Sequence, residues 1–423
     1  MVTKNETRPF VEVHLDAPEL GPCSLVGKLF PAQARVDLPP SFEYASDWLG
    51  ANRVFQLDPH LDMYTGEQHA RRAPGFGIFL DSAPDRWGRV LMERREALEA
   101  SKESRKTRRL TDLAFLLGVH DFTRTGALRY RRGPDQPFLD DHALPAPPVT
   151  DLRELAAVAT QLDEPGVENM PEYETWLSML MAPGTSLGGA RPKATFTQAD
   201  GTLWLAKFPG HDDRRDWGAW EYLTHQLAHD AGIKVPKSEL LDLGARYRTF
   251  CVQRFDRGTN GNPAGRRMYA SALTLLGRQD GQDGGSYLDL AELLETEGGA
   301  GLTEDLRQLY RRAVFNLHVA NRDDHLRNHG FLREASGWRL SPAFDMNPNP
   351  DKDVHALTWD GTSAAPDLLV LKSAAAFFRI ADVAEAQRII DEVAAVVAGW
   401  RERAAALKIP RNEIQLMDSV FAV

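Results

Sequence analysis

His318-Val-Ala-Asn-Arg-Asp-Asp-His-Leu-Arg-Asn-His-Gly-Phe-Leu332, followed by Leu340-Ser-Pro-Ala-Phe-Asp-Met346, is the part of the sequence that decides the fold. An apolar helical run feeds a loop of acids and amides, and a short strand begins at Gly330. A turn at Ser336-Gly337 and a second strand then deliver Asp345. Asp323 and Asn328 are separated by four residues, the D-x-x-x-x-N spacing of a phosphoryl-transfer catalytic loop. In such a loop the Asp orients or deprotonates a hydroxyl. The Asn, with a second Asp on the following β-turn-β, holds magnesium against nucleotide phosphates. The pair therefore reads as a kinase core.

Other chemistries compete for these residues. His318, Asp323, Asp324, His325 and His329 are residue types that ligate metals in phosphohydrolases, although the H-E-x-x-H spacing is missing. Alternatively, the acids cap and line a structural loop. Between the adjacent acids, Asp323 alone has the four-residue gap to Asn328, which makes it the candidate base.

Three upstream stretches supply what nucleotide binding needs. In Ser186-Leu-Gly-Gly-Ala-Arg-Pro-Lys193, glycines between a helix and a strand let backbone N–H groups approach phosphate oxygens. Lys207 is penultimate in Leu203-Trp-Leu-Ala-Lys-Phe208 and shares a strand face with Leu203 and Leu205. A buried lysine needs an anionic partner; at about 4 Å from a phosphate charge the attraction is roughly 4 kcal/mol. The bland alternative is a lysine snorkelling from a sheet edge. Phe250-Cys-Val-Gln-Arg-Phe-Asp256 is a strand running into a loop, where backbone groups can meet adenine and Phe255 can cover the ring.

With 423 residues, two or three lobes are expected. The net charge of −10 argues against a non-specific nucleic-acid coat. Cys23 and Cys251 are far apart and lack metal spacing, and the polar start has no apolar leader core, so a cytoplasmic protein without a membrane span is expected. The basic run Lys102–Arg109 could touch nucleic acid, but its interleaved glutamates favour a solvated face.

Organisation follows the punctuation. Strands are expected at Val11–Leu15 and Ser24–Phe30. A helix is expected to open near Phe79, capped by Asp81 or Ser82 with Pro84 in its first turn, and to run towards Arg109. A proline-rich stretch over 131–150 marks a boundary. Helices follow at 152–162, 172–181 and 217–230, with a hairpin turning at Ala199-Asp-Gly201, where Asp-Gly is the turn signal. Residues 277–286 read as a mobile glycine-rich loop, 302–320 as a helix, and 382–407 as one closing helix.

Taken together, these motifs resemble the HipA family, serine/threonine kinases of bacterial type II toxin–antitoxin systems. The resemblance rests on Ser186–Lys193, Leu205-Ala-Lys-Phe-Pro209, Val252-Gln-Arg-Phe-Asp-Arg257, Asn321–Asn328 and Leu340–Asp345, and extends to Phe79–Gly88. It implies an α+β, two-lobed protein-kinase-like fold with an extra amino-terminal β-rich subdomain (1–135), a nucleotide-binding lobe (150–260) and an all-helical carboxy-terminal lobe (261–423). By position it implies Asp323 as catalytic base, Asn328 and Asp345 as magnesium ligands, and Lys207 as the phosphate lysine. Gly188, Gly189, Ala190, Arg191, Pro192 and Lys193 form the phosphate loop; Gln253, Arg254 and Phe255 the hinge. His325 and Phe344 contact nucleotide, and Ser186 is the site of self-phosphorylation that switches the kinase off. ATP and Mg2+ are the implied cofactors. An aminoacyl-tRNA synthetase is the implied substrate and a HipB-like helix-turn-helix antitoxin the implied partner, with DNA reached only through it. A nucleotide-binding co-repressor with weak transfer is the alternative. The loop here reads Ala-Arg-Pro-Lys where the best-known members have Ala-Gln-Glu-Lys, and Asp324 stands where glycine is frequent.

Overall fold

A computed structural model describes residues 8–32, 39–51, 55–70, 75–140, 146–162, 164, 166–181, 189, 191–259, 262–279 and 284–421. The amino-terminal part is a six-stranded antiparallel sheet in the order β4-β3-β2-β1-β5-β6. Its strands are β1 (Val11–Leu15), β2 (Ser24–Phe30), β3 (Ser41–Tyr44), β4 (Gln68–His69), β5 (Leu128–Arg131) and β6 (Phe138–Leu139). The first two match their expected bounds, and β6 carries the sheet past residue 135 into the proline-rich stretch.

The second sheet holds β7 (Lys193–Thr197), β8 (Leu203–Lys207), β9 (Ser238–Leu241) and β10 (Thr249–Gln253), ordered β7-β8-β10-β9. Alternation along β8 divides its residues between two environments. Trp204 and Ala206 join Phe196 and Cys251 in a core with the helices Leu152–Leu162 and Tyr173–Met181. Leu205 and Lys207 face the opposite way, into a cleft. The β7–β8 connection turns over Ala199–Gly201 as expected: beyond the ladder pair Thr197–Leu203, the Gln198 N–H donates to the Thr202 carbonyl at 2.9 Å. Gly201 takes the left-handed backbone that the Asp-Gly signal requires, at φ 80°.

Beyond a short hairpin, β11 (Arg257–Thr259) with β12 (Asn262–Arg266), the carboxy-terminal lobe is mainly helical. Besides β12, it departs from the expected all-helical lobe in a small sheet of β13 (Tyr269–Ser271), β14 (Gly330–Glu334) and β15 (Gly337–Leu340). The helix Leu302–His318 feeds the catalytic-loop stretch, and β14–β15 returns the chain to Asp345, as the opening pattern requires. The glycine-rich loop's residues 280–283 lie outside the described residues.

Two helices differ from expectation. The amino-terminal one spans Arg86–Lys102 and is capped by Asp85, whose carboxylate accepts from the Gly88 N–H at 2.7 Å. Phe79 belongs to a separate short helix, Gly77–Leu80, and Pro84, which disfavours helical backbone at the residue before it, keeps the two helices apart. Asp81 instead binds the Ser271 N–H and hydroxyl at 2.7 and 2.8 Å. The helix stops before Arg109 because Ser104 takes left-handed backbone (φ 51°) and the Arg105 N–H closes the end on the Ala100 carbonyl at 3.0 Å. Arg105 and Arg108 then fold back onto the buried Glu96 carboxylate. The basic run is thus partly neutralised from within. The closing helix divides at Gly399 into Val383–Val397 and Trp400–Ala406. That break drops Trp400 into the core, stacked on Phe421 at 4.4 Å with Trp220 alongside at 6.1 Å.

The amino-terminal part is fastened to the lobe of the second sheet by buried charge. Asp256 accepts from the Gly126 N–H (2.8 Å) and from Arg254 and Arg257 (both 2.7 Å). Arg254 also donates to the Thr123 carbonyl at 2.6 Å. Burial would raise the Asp256 carboxyl, but the two guanidinium groups outweigh it and hold the carboxyl well below the usual range. Asp256→Ala leaves two cations buried without their acid, a loss of about 3–5 kcal/mol that thermal melting will register. Because the folded-state pKa is depressed, this contribution is full above the unfolded value of about 3.9 and is lost as pH falls below it. Wild-type melting temperatures should therefore decline through that acid range more steeply than those of the variant.

Candidate active site

Lys207 lies at the back of a cleft of about 650 Å³ between the sheet β7-β8-β10-β9 and the catalytic-loop stretch. Its ammonium touches Glu221 at 2.5 Å and Asp345 at 2.7 Å. Burial would lower the Lys207 pKa, but the two carboxylates push it up instead. Asp345 is likewise raised by burial, yet the adjoining ammonium brings it below the ordinary carboxylate range. Glu221 is pushed up by burial in spite of the same ammonium. Asp345 is thus the member of the pair held most firmly as an anion. Its backbone takes the left-handed region, φ 56°, a conformation that costs a non-glycine residue energy and recurs at functional sites.

Glu221 is the principal residue that sequence reasoning missed. It lies on the helix Trp217–Asp230, whose amino-terminal cap is Asp216. The neighbouring Trp220 is fully buried against the Trp400–Phe421 stack, and its indole N–H donates to Glu413 at 2.9 Å. The carboxy-terminal helices therefore fix the helix that presents Glu221. The available signal was an acid set among Trp217, Trp220, Tyr222 and Leu223 in the first half of that helix, combined with the demand of a buried Lys207 for an anion.

Asp323 and Asn328 line the same cleft as Lys207 and Asp345. The Asn328 amide nitrogen donates to the Asp323 carbonyl at 2.9 Å, which turns its Oδ1 away from that bond. Asp324 does the opposite job. Buried at 1% exposure, it accepts from Tyr287 Oη at 2.8 Å and from the Ala356 N–H at 3.2 Å. It is a framework acid beneath the loop, while Asp323 stays accessible. His325 also lines the cleft, but His318 and His329 are buried, and burial lowers His329 to about 4, so it is neutral. The metal-ligand set considered from sequence is thus divided between cleft and core. Among the described residues no group of three or more His, Cys, Asp or Glu side chains is placed to hold a metal.

Of the hinge candidates, Gln253 and Phe255 line the cleft, and the Phe255 ring packs directly on that of Phe344, which also lines it, at 5.4 Å. Arg254 borders the cleft, but its side chain is committed to Asp256. The phosphate-loop candidates disperse. Ser186, Gly188 and Ala190 lie outside the described residues. Gly189 lines the cleft, and its carbonyl accepts from the Trp87 N–H at 3.4 Å. Arg191 pairs with Asp213, and the Pro192 carbonyl accepts from the Phe208 N–H at 2.9 Å. Lys193 is buried on Asp85 at 2.7 Å. The amino-terminal part thus supplies a third wall, including Asp81, Asp85 and Arg86, that the catalytic motifs gave no reason to expect.

A family model for the HipA-like C-terminal domain matches residues 185–400. Among curated proteins, the chain is 26% identical over 230 residues to the serine/threonine-protein kinase toxin HipA of Shewanella oneidensis, covering 47% of this chain and 50% of that protein. The chain spans about half the length of the curated relatives it matches. Among solved structures it is similar to Shewanella oneidensis HipA, determined with HipB and operator DNA, at a TM-score of 0.62 and 17% identity, covering 97% of this chain and 94% of that one. That likeness extends the shared fold across the amino-terminal part. No described helix is long and apolar enough to cross a membrane.

Lys207→Met would leave Glu221 and Asp345 facing each other without a cation. At neutral pH the variant should lose about 3 kcal/mol of stability. Part of that loss should return near pH 5, as one of the unpaired acids takes up a proton. Denaturant melts at the two pH values check this.

Proposed function

The chain belongs to the HipA family, and on that premise we propose that it is an ATP- and magnesium-dependent protein serine/threonine kinase, a toxin-like regulator of translation or growth. One observation carries the reading: Lys207 bridges Glu221 and Asp345 in the cleft that Asp323 and Asn328 also line. Lys207 orients the ATP phosphates, and Gly189 brings backbone close to them. Phe255 covers the base, Phe344 packs against the Phe255 ring and contacts the nucleotide beside it, and Gln253 stands at the hinge.

The acceptor hydroxyl oxygen attacks the γ-phosphorus as the bond to the β,γ-bridging oxygen breaks. ADP departs, and the hydroxyl proton passes to the Asp323 carboxylate. Asp345, an anion in the cleft, and the Asn328 Oδ1, directed by its amide bond to Asp323, make an all-oxygen donor set that suits Mg2+. The metal, when bound, neutralises charge on the β- and γ-phosphate oxygens.

Ser186 is the proposed self-phosphorylation site, and an aminoacyl-tRNA synthetase the proposed substrate. A HipB-like antitoxin is the proposed partner, in keeping with the assembly of the structural neighbour. DNA contact would pass through that antitoxin, given a net charge of −10 and a basic run drawn onto Glu96. A second reading, a nucleotide-binding co-repressor with weak transfer, is favoured by the commitment of Lys193 to Asp85.

Intact-mass measurement after incubation with Mg-ATP separates the two. The kinase reading expects one added phosphate on the wild type and none on Ser186→Ala, and Asp323→Asn should slow the addition about 10²–10⁴-fold. A wild type that binds ATP but gains no phosphate favours the co-repressor. Full activity in Asp323→Asn removes that residue from its role.

A further inference from the structure

The segment after Asp345 returns to the catalytic loop. The Lys352 ammonium donates to Asp323 Oδ1 at 2.6 Å, although Lys352 and Asp323 are 48% and 55% exposed. Exposed ion pairs contribute little to stability and seldom hold two side chains together unaided. Here the backbone does the holding. The Asn349 N–H donates to the Ala320 carbonyl at 2.9 Å. Arg322, immediately before Asp323, grips the carbonyls of Asn349 and Lys352. On the far side, His355 Nδ1 reaches the Asn321 carbonyl at 3.1 Å, and the Ala356 N–H reaches Asp324 Oδ1 at 3.2 Å. Residues 349–356 are therefore fastened at both ends to residues 320–324, and Lys352 projects from between the fastenings onto Asp323.

We propose that Lys352 is a positioning residue for Asp323, holding one carboxylate oxygen so that the other faces the acceptor hydroxyl. This role rests on the kinase reading above. A carboxylate on an open loop is free to rotate, and a small misplacement of a catalytic group costs large factors in rate. The ammonium occupies Oδ1, leaves Oδ2 for the acceptor hydroxyl, and adds a positive charge beside the place where the phosphoryl group is transferred. The segment's anchors supply the precision that the exposed pair lacks.

The test compares wild type, Lys352→Met, Lys352→Arg and both Lys352→Met and Asp323→Asn combined, using self-phosphorylation by Mg-ATP and calorimetric binding of a non-hydrolysable ATP analogue. Lys352→Met should slow saturated transfer about 10–100-fold with its melting temperature and analogue affinity close to wild type. Lys352→Arg should recover most of the rate. In the Asp323→Asn background Lys352→Met should cost nothing more, because its action passes through that carboxylate. A wild-type rate in Lys352→Met, a loss traced to nucleotide affinity, no recovery in Lys352→Arg, or an undiminished effect in the double variant overturns the role alone. A wild type that binds the analogue but transfers no phosphate overturns the kinase reading and this role together.

Discussion

A single ammonium between two carboxylates holds the two sides of the cleft in register. Lys207 comes from β8, Glu221 from the helix Trp217–Asp230, and Asp345 from the turn after β15, 138 residues further along the chain than the lysine. Taking three charged groups out of water is unfavourable unless each is matched, so their meeting fixes the relative placement of the elements that bear them. The structure supports the arrangement from outside. Trp220, Trp400, Phe421 and Glu413 pin the helix of Glu221, and the small sheet β13-β14-β15 sets the turn of Asp345.

A second constraint runs through the amino-terminal part. Asp85 both caps the helix Arg86–Lys102 and neutralises Lys193, which pairs across the ladder with Lys207. Two lysines opposite each other on adjacent strands would repel; three acids from three directions make the pairing tenable. The buried Arg254–Asp256–Arg257 group ties the hinge to residues 123–126 in the same manner. The amino-terminal part is therefore structurally continuous with the cleft.

Much of this was legible in the sequence where the pattern is local. Alternation marked β1, β2 and β8, helical periodicity marked Trp217–Asp230 and Leu302–His318, and the D-x-x-x-x-N gap distinguished Asp323 from Asp324. What escaped was pairing at a distance. Asp85 stands 108 residues from Lys193, and nothing around either announces the other. In sequence, Arg254 and Lys193 look like ligand-binding cations, while in the fold both are spent on buried acids. The break at Gly399 escaped because periodicity continues through it, and only the space around Trp220 demands that Trp400 turn inward.

The most direct test of the central claim is a crystal of the chain grown with manganese and a non-hydrolysable ATP analogue, read by anomalous scattering. The account predicts a metal peak between Asn328 and Asp345, with the terminal phosphate beside Lys207 and in reach of Asp323. A nucleotide bound elsewhere, or a metal held away from both residues, would contradict it.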